Sequence, residues 1–163
     1  MIIKIKYKGK YYNTLIDDED YEICSGLYLQ LNKQHNNKLR VKCIYWKNGK
    51  RIIDTYLHRF ILNVSKGIQI DHINGNCLDN RRFNLRLCNN IENNQNRKID
   101  KRNSSGYKGV YFDKIRKKWV AEIKVNKCKK FIGRFINKEE AAIAYNKFAK
   151  KYFKKFAVLN DIK

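Results

Sequence analysis

The sequence predicts an α+β fold, and three observations favour it. Short alternating apolar runs such as "IIKIKY" and "RIIDTYL" fill residues 1–56 and indicate strands separated by polar turns. Three further strand-like runs, "YKGVYFD", "KWVAEIKV" and "KKFIGRF", follow in the second half of the chain. They lead into "NKEEAAIAYNKFAKKYF", which has apolar residues at helical spacing. Strands and helices are therefore both expected, in separate stretches.

Local signals predict where individual elements begin and end. "KNGK" (Lys47–Lys50) predicts a hairpin turn between two of the early strands. The acidic cluster in "DDEDYEICSGLY" could open a short helix, but a solvated turn with the acidic bias of a helix N-terminus is the favoured interpretation. "LHRFILNV" (Leu57–Val64) predicts a short helix, and the polar, basic "NRKIDKRNSSG" predicts a linker.

The last helix has the clearest signals. Asn137 is a good N-cap, and Glu140 three residues later completes the pattern of a capping box. An apolar stripe should place this helix on the three-stranded sheet. The stripe consists of Ala141, Ala142, Tyr145, Ala149 and Phe153.

The charge balance indicates a polyanionic partner. The 163 residues contain 37 Lys and Arg against 15 Asp and Glu, a formal net charge of +22. Such a surplus favours nucleic acid, because it repels itself in isolation. A membrane surface is the weaker alternative, and no apolar run is long enough to span a bilayer. The chain shows no signal peptide, and its five cysteines form no C-x-x-C pair. We therefore expect an intracellular protein without a disulfide framework or a zinc site.

The asparagine-rich block "QIDHINGNCLDNRRFNLRLCNNIENNQN" has the residue types of a metal-dependent hydrolase. Asp71 is a hard oxygen ligand, and His72 can accept a proton near neutral pH. Asn84 and Asn93 follow Asp71 by 13 and 22 residues (84−71, 93−71). "NGN" predicts a tight turn between two short strands, and "NIENNQNR" predicts a helix that packs back across them. An Asp oxygen and an Asn oxygen together suit Mg²⁺ or Mn²⁺.

The pieces "DHINGN", "LDNRRFNLR" and "ENNQNR" resemble the HNH nuclease motif, in the form found in phage-type homing endonucleases. The resemblance covers about Leu57–Asn96. It implies that Asp71 and Asn93 bind the metal, that His72 is the general base, and that Asn84 braces the loop and so orients the histidine.

Several roles in this block stay open. A structural turn is the alternative for the Asp-His pair, and Asn94 or Asn96 could replace Asn93 as the ligand. Asn80 and Arg81 could serve turn geometry or contact phosphate, and Arg59 is a candidate phosphate contact. We expect His58 to support the site rather than take part in the chemistry.

The second half resembles the DNA-binding domain of plant ethylene-response factors, through "YKGV", "KWVAEI", "IGRF", "EEAAIAYN" and "AVLN". The resemblance implies that a three-stranded sheet contacts the DNA major groove. Lys, Tyr and Phe stand at several positions where the family has Arg or Trp, so contacts to phosphate and DNA shape should dominate. Trp119 and Tyr145 could face DNA or the core. The implied DNA contacts are Lys108, Tyr111, Glu122, Lys124, Lys129 and Phe131.

Together the two resemblances predict a β-rich extension (1–56), an HNH nuclease module of the ββα-metal type (57–96), a linker (97–104) and a DNA-binding domain of three antiparallel strands and one helix (105–163). The predicted function is a homing or mobile-element DNA endonuclease that hydrolyses phosphodiester bonds with one divalent cation. Its partner is double-stranded DNA, and it acts in the cytoplasm or at the nucleoid or nucleus of a host cell, as a monomer or possible dimer. A DNA-binding regulator with an inactive nuclease fold is the alternative, and an RNA-binding protein is supported by charge alone.

Overall fold

The structure, a computed structural model, describes residues 1–35, 37–95, 99 and 103–162, without the side chains of Ile91, Asn94 and Gln95. These residues form small antiparallel sheets and helices, which confirms the predicted α+β class. The chain divides into two compact units, Met1–Asn89 and Asn90–Lys163. Most of the predicted linker, 97–104, lies outside the described residues.

The strands of the first unit form a two-stranded hairpin, a three-stranded sheet and a separate two-stranded sheet. The strand orders are β1-β2, β3-β4-β5 and β6-β7. The predicted turn between β4 and β5 is confirmed, because Asn48 and Gly49 adopt left-handed φ values of 50° and 73°. The elements are β1 (Ile2–Tyr7), β2 (Lys10–Leu15), α1 (Tyr21–Ser25), β3 (Tyr28–Lys33), β4 (Leu39–Lys47), β5 (Lys50–Tyr56), α2 (Leu57–Ile61), β6 (Gln69–His72) and β7 (Leu85–Cys88).

Two local predictions in this unit need correction. The acidic cluster forms a 3₁₀ turn (Asp18–Asp20) followed by α1, and Asp20 is buried rather than solvated. Burial is possible because the Arg82 guanidinium donates to both carboxylate oxygens, at 2.6 and 3.0 Å. The helix predicted over 57–64 ends at Ile61, and Asn63, two residues later, has a left-handed φ of 47°.

One apolar core holds the first unit together. It joins residues of the N-terminal hairpin and sheet to residues of α2, β6 and β7. Ile16, just after β2, and Leu57, at the start of α2, are both fully buried in it. Packing thus crosses residue 57, where the sequence suggested a functional boundary. The buried members are Ile5, Ile16, Cys24, Leu31, Val41, Cys43, Leu57, Ile61, Ile70 and Leu85.

The second unit is a three-stranded sheet covered by one long helix. Its elements are α3 (Asn90–Gln95), β8 (Val110–Asp113), β9 (Lys118–Val125), β10 (Cys128–Phe135) and α4 (Lys138–Phe153), with strand order β10-β9-β8. The predicted stripe of α4 is confirmed, since all five of its members are buried. They pack in two clusters against Val110, Ala121 and Ile123 of the sheet.

The start of α4 is predicted correctly in position but not in detail. Asn137 is the N-cap residue, with extended backbone (φ −105°, ψ 145°). Its side chain makes no bond to the first-turn amides; instead Nδ2 donates to Glu140 Oε1 at 3.3 Å. The two side chains of the expected capping box therefore bond to each other.

Gly109 lies where the chain leading into β8 passes closest to α4. Its φ is +75°, and a Cβ there would lie 2.2 Å from two ring carbons of Tyr145 and 2.7 Å from the carbonyl oxygen of Glu122. Gly106 has a similar φ of +78°, but a Cβ at that position would meet nothing within 4 Å. Only the first of these glycines is therefore required by packing as well as by backbone conformation.

Two further properties bear on the class of protein. No helix among the described residues is both long and apolar enough to cross a bilayer. All five cysteines are free thiols, and four of them are buried.

Candidate active site and candidate DNA-binding face

Asp71 lies at the end of β6 and forms a buried ion pair. It is directly opposite Arg86 of β7 in the antiparallel register. Arg86 donates from Nε (3.0 Å) and Nη2 (2.7 Å) to the same carboxylate oxygen, Oδ2. The side chains of Asp71 and Arg86 are only 9% and 12% exposed. The carboxylate is thus held in a fixed orientation beside a compensating positive charge.

His72, the next residue, is buried at 4% exposure. Its Nε2 lies 3.3 Å from Oδ1 of Asn80, and the edge of its ring faces the ring of His58, with 5.1 Å between centroids. Burial lowers the pKa of His72 below its ordinary value of 6.5, although the bond to Asn80 opposes this effect. The imidazole is therefore neutral at neutral pH, the state in which it can accept a proton.

His58 meets the ring of His72 edge to face. It stacks on Tyr56, with 5.7 Å between centroids, and is itself only 4% exposed. Burial, together with the nearby His72 and two arginines, lowers the pKa of His58 to about 3. Within the described part of the chain, its Nδ1 has no hydrogen-bond partner. His58 is thus an uncharged packing partner of His72, in the position that a supporting residue would occupy.

Asn84 ties together the two ends of the loop that follows His72. It is 2% exposed. Its Nδ2 donates to the carbonyl of Asp79 (2.7 Å), and its Oδ1 accepts from the backbone amide of Asn74 (3.0 Å). Its own carbonyl accepts from the amide of Ile73 (2.9 Å). These are the contacts that a loop-bracing role requires.

Other asparagines of the block shape the same loop. Asn74 Oδ1 accepts from the amide of Asn76, and Asn76 Oδ1 accepts from the amide of Leu78. Each bond closes a local turn of the kind that asparagine favours. The turn at "NGN" does form, with Gly75 at φ 71°, but β7 begins only at Leu85. The two strands are therefore joined by a long, internally bonded loop rather than by the predicted tight turn.

The arginines of this region are engaged with the protein. Arg81 donates from Nε and Nη2 to the two oxygens of Asp79, both at 2.8 Å, and lies over the ring of Phe83. These bonds hold the pKa of Asp79 below its usual range. Arg59 donates to three backbone carbonyls, those of Val64, Ser65 and Ile68. Both side chains shape loops, and their predicted phosphate contacts stay predictions.

Asn93, the second predicted metal ligand, lies on α3 and is exposed. This helix belongs to the second compact unit, whereas Asp71 and His72 belong to the first. The side chain of Asn94 and all of Asn96, the alternative ligands, lie outside the described residues. In the parts that are described, no group of three or more His, Cys, Asp or Glu residues could hold a metal ion.

The predicted DNA contacts of the strands share one face of the second unit's sheet. Val110, Ala121 and Ile123 point towards α4, so the residues that alternate with them point away from it. Strand register pairs Glu122 with Phe131. Five of the six predicted contacts lie on this outer face: Tyr111, Glu122, Lys124, Lys129 and Phe131.

Lys108, the sixth, lies just before β8 and is partly buried. Its backbone is held by Asn160, whose Oδ1 accepts from the Lys108 amide (2.6 Å) and whose Nδ2 donates to the Lys108 carbonyl (3.1 Å). Burial lowers the pKa of the Lys108 ammonium to about 8. The ammonium of Lys108 therefore loses its positive charge at a lower pH than an ordinary lysine does.

The outer face also contains residues that the sequence argument missed. Arg134 pairs with Val120 in the register and lies over the ring of Phe131, 4.9 Å from its centroid. Lys118 lies opposite Asp113 in the strand register, at the far end of the same face. Period-two alternation along β9 would have found Lys118. It would have placed Arg134 on the inner face, because β10 shifts its register between Phe131 and Gly133.

Trp119 and Tyr145, for which the sequence allowed either DNA or the core, both pack inside the second unit. Trp119 meets Phe112 edge to face, with 5.0 Å between centroids. Tyr145 is 3% exposed, and burial raises its pKa to about 12. Packing accounts for both side chains.

Comparison with known proteins gives one partial match. A 56-residue segment is 46% identical to Protein 3.8 of Escherichia phage T7. This segment makes up 34% of the present chain and 46% of that protein, so the match spans less than half of the relative's length. No protein-family model and no solved structure matches the chain.

Proposed function

We propose that this protein is a metal-dependent DNA endonuclease of the homing or mobile-element type. The observation that carries the proposal is the buried Asp71-His72 pair at the end of β6. Its carboxylate is oriented by Arg86, and its imidazole is kept neutral by burial. A hard oxygen donor beside a neutral base suits hydrolysis of a phosphodiester bond. The formal net charge of +22 supports a polyanionic substrate.

The donor chemistry fits a hard divalent cation. Asp71 offers a carboxylate oxygen and Asn93 an amide oxygen, both ligand types that Mg²⁺ and Mn²⁺ accept. Arg86 donates twice to Oδ2 of Asp71, so the carboxylate that would hold the cation already has a defined orientation. When bound, the cation would stabilise the negative charge that develops on the phosphate. In this proposal residues 57–96 are an HNH nuclease module of the ββα-metal type.

The proposed reaction is a hydrolysis in which His72 is the general base. Its neutral ring accepts a proton from the attacking water as the water oxygen bonds to phosphorus. The bond from phosphorus to the 3′ oxygen breaks, and that oxygen takes up a proton. The products are a 5′-phosphate and a 3′-hydroxyl. Asn84 has a structural role, because it holds the loop that follows His72 in place.

The second unit would dock on the target DNA through the outer face of its sheet. Exposed Lys124 and Lys129 supply positive charge, and exposed Tyr111 and Phe131 supply flat apolar surface. Lysine is a weaker reader of guanine than arginine, because it lacks the planar two-donor fork. We therefore expect this face to bind mainly through phosphate contacts and DNA shape.

The decisive experiment is plasmid cleavage by the wild type and by His72→Ala, with Mg²⁺, Mn²⁺ or EDTA. We expect metal-dependent nicking by the wild type and none by the variant. DNA binding should be retained, because the substitution removes a base and not a phosphate contact. His35→Ala is the matched control, since His35 is exposed and should cut as the wild type does.

Each outcome distinguishes the candidate functions. Cleavage by His72→Ala at the wild-type rate would show that another residue is the base. Salt-sensitive binding without cleavage by either protein, on a library of DNA sequences, would favour a DNA-binding regulator with an inactive nuclease fold. Tighter binding to RNA than to DNA would favour the RNA-binding alternative.

A further inference from the structure

A buried chain of hydrogen bonds connects the N-terminal hairpin to the ring of His72. Thr14, on β2, contacts Asn80, and Asn80 contacts His72. Thr14 and Asn80 are 66 residues apart in sequence. They are 1% and 0% exposed, so bulk solvent cannot compete for these bonds. Through this contact the first 56 residues can influence the candidate active site.

The hydrogen-bond direction is determined at the Thr14 end. Thr14 Oγ1 lies 2.7 Å from the carbonyl oxygen of Leu78. A carbonyl oxygen carries no hydrogen, and two oxygens at this distance repel unless a hydrogen lies between them. The Thr14 hydroxyl must therefore donate to Leu78. Its lone pairs are then what it presents to Asn80, 2.9 Å away.

This direction sets the orientation of the Asn80 side chain. Because Thr14 can only accept in this contact, the amide nitrogen of Asn80 faces Thr14, and its oxygen faces His72. An amide oxygen only accepts hydrogen bonds. The His72 nitrogen opposite it, Nε2, must therefore carry the proton. A neutral imidazole has one N–H group, so the basic lone pair lies on Nδ1.

Backbone bonds hold Thr14 and Asn80 at a fixed distance from each other. The amide of Leu15 donates to the Leu78 carbonyl (2.9 Å), and the amide of Asn80 donates to the Leu15 carbonyl (2.8 Å). Leu15 and Asp79 form a parallel bridge between the hairpin and the loop. The Thr14 hydroxyl is thus presented to Asn80 by main-chain geometry.

We propose that Thr14 is a positioning residue for the general base, and that it fixes the tautomer of His72 through the side chain of Asn80. The catalytic part of this inference rests on the proposed nuclease function, whereas the tautomer itself does not. A base with its lone pair on the wrong ring nitrogen cannot accept a proton from a water on the reacting side. The N-terminal hairpin would then influence the chemistry through Asn80.

The first test is the tautomer of His72 in the wild-type protein. Nitrogen-15 NMR of the histidine rings distinguishes a protonated Nε2 from a protonated Nδ1, and the chain has only three histidines to assign. His72→Gln identifies the signal by its loss. We expect the Nε2–H form in the metal-free protein at neutral pH. A predominant Nδ1–H form would overturn the proposal without any need for a variant at Thr14.

The second test removes the hydroxyl. In Thr14→Val the shape is kept but the hydroxyl that accepts from Asn80 Nδ2 is lost, so Asn80 can rotate its amide and His72 should show a mixture of both tautomers. Thr14→Ser retains the hydroxyl and should restore the single Nε2–H form. Thr55→Val is the matched control, because Thr55 is the chain's other threonine and lies on β5. An unchanged tautomer in a folded Thr14→Val protein would refute the link.

Cleavage kinetics then separate this inference from the proposed function. For Thr14→Val we expect kcat to fall about 10- to 100-fold, part of the ~10²–10⁴-fold that a positioned general base contributes, with KM for DNA unchanged. Thr55→Val should cut at the wild-type rate. If no variant and no wild-type sample cuts DNA, the nuclease proposal fails while the tautomer result still stands. If the tautomer shifts and kcat does not, Thr14 orders the ring without assisting catalysis, and the catalytic part is wrong.

Discussion

The close approach of Gly109 to Tyr145 makes a quantitative prediction about the second unit. In Gly109→Ala the new Cβ would lie 2.2 Å from the Tyr145 ring and 2.7 Å from the Glu122 carbonyl. A left-handed backbone costs a residue with a Cβ about 1–2 kcal/mol. Overpacking against a buried ring adds about 1–3 kcal/mol. The free energy of unfolding should therefore fall by about 2–5 kcal/mol.

Gly106→Ala isolates the packing contribution. Gly106 has nearly the same φ as Gly109, +78° against +75°, but open space around its Cβ position. The free energy of unfolding of Gly106→Ala should fall only by the cost of the left-handed backbone, about 1–2 kcal/mol. The difference between the two alanine variants then measures the clash with Tyr145 and β9.

The assay is urea denaturation followed by tryptophan fluorescence. The chain has two tryptophans, Trp46 in the first unit and Trp119 in the second. In a Trp46→Phe background the signal reports the second unit alone, which keeps linear extrapolation applicable. If the two glycine variants lose the same free energy within about 0.5 kcal/mol, the additivity error for independent sites, the close approach is wrong.

Two further predictions concern charge. Burial holds the pKa of His58 at about 3 in the folded chain, below the ordinary 6.5, so protonation favours the unfolded chain and the free energy of unfolding should fall as pH drops from 6.5 towards 3. His58→Gln should make this pH dependence less steep in denaturation curves, and an unchanged slope would show that His58 titrates normally. Affinity for DNA falls with salt, and Lys124→Ala should make the slope of log affinity against log salt less negative by about 0.9, the value for one phosphate contact. Lys147→Ala, on the exposed side of α4, should leave that slope unchanged, and equal effects of the two variants would refute docking through the sheet's outer face.

Local patterns were sufficient to predict most of the second unit. Alternation gave β8 to β10, and the spacing of apolar residues gave the buried stripe of α4, because both depend on neighbours along the chain. The side-chain bonds of Asn137 were not predictable in the same way. Its place at the start of α4 was expected, but whether its Nδ2 donates to Glu140 or its Oδ1 accepts from the first-turn amides depends on a choice of rotamer.

The candidate site was predictable in its residue types but not in its contacts. Asp71 and His72 stand out by their chemistry. Arg86, the partner of Asp71, becomes apparent only when the register of β6 and β7 is known, and a long loop separates these strands. The contact between Thr14 and Asn80 has no local signal, since it joins residues from opposite ends of the first unit.

The common core of the first unit sets the order in which a working site can appear during folding. The bond from Thr14 to Leu78 closes a loop of 64 residues. Closing a flexible loop of that length costs about 4 kcal/mol of chain entropy, before any constant term. This cost must be met by burial of residues such as Ile16 and Leu57, so the bonds around His72 are expected late, once the core has formed. A nascent or partly unfolded chain would therefore contain both Asp71 and His72 and still lack an ordered His72 ring, so that the proposed nuclease activity would depend on completed folding.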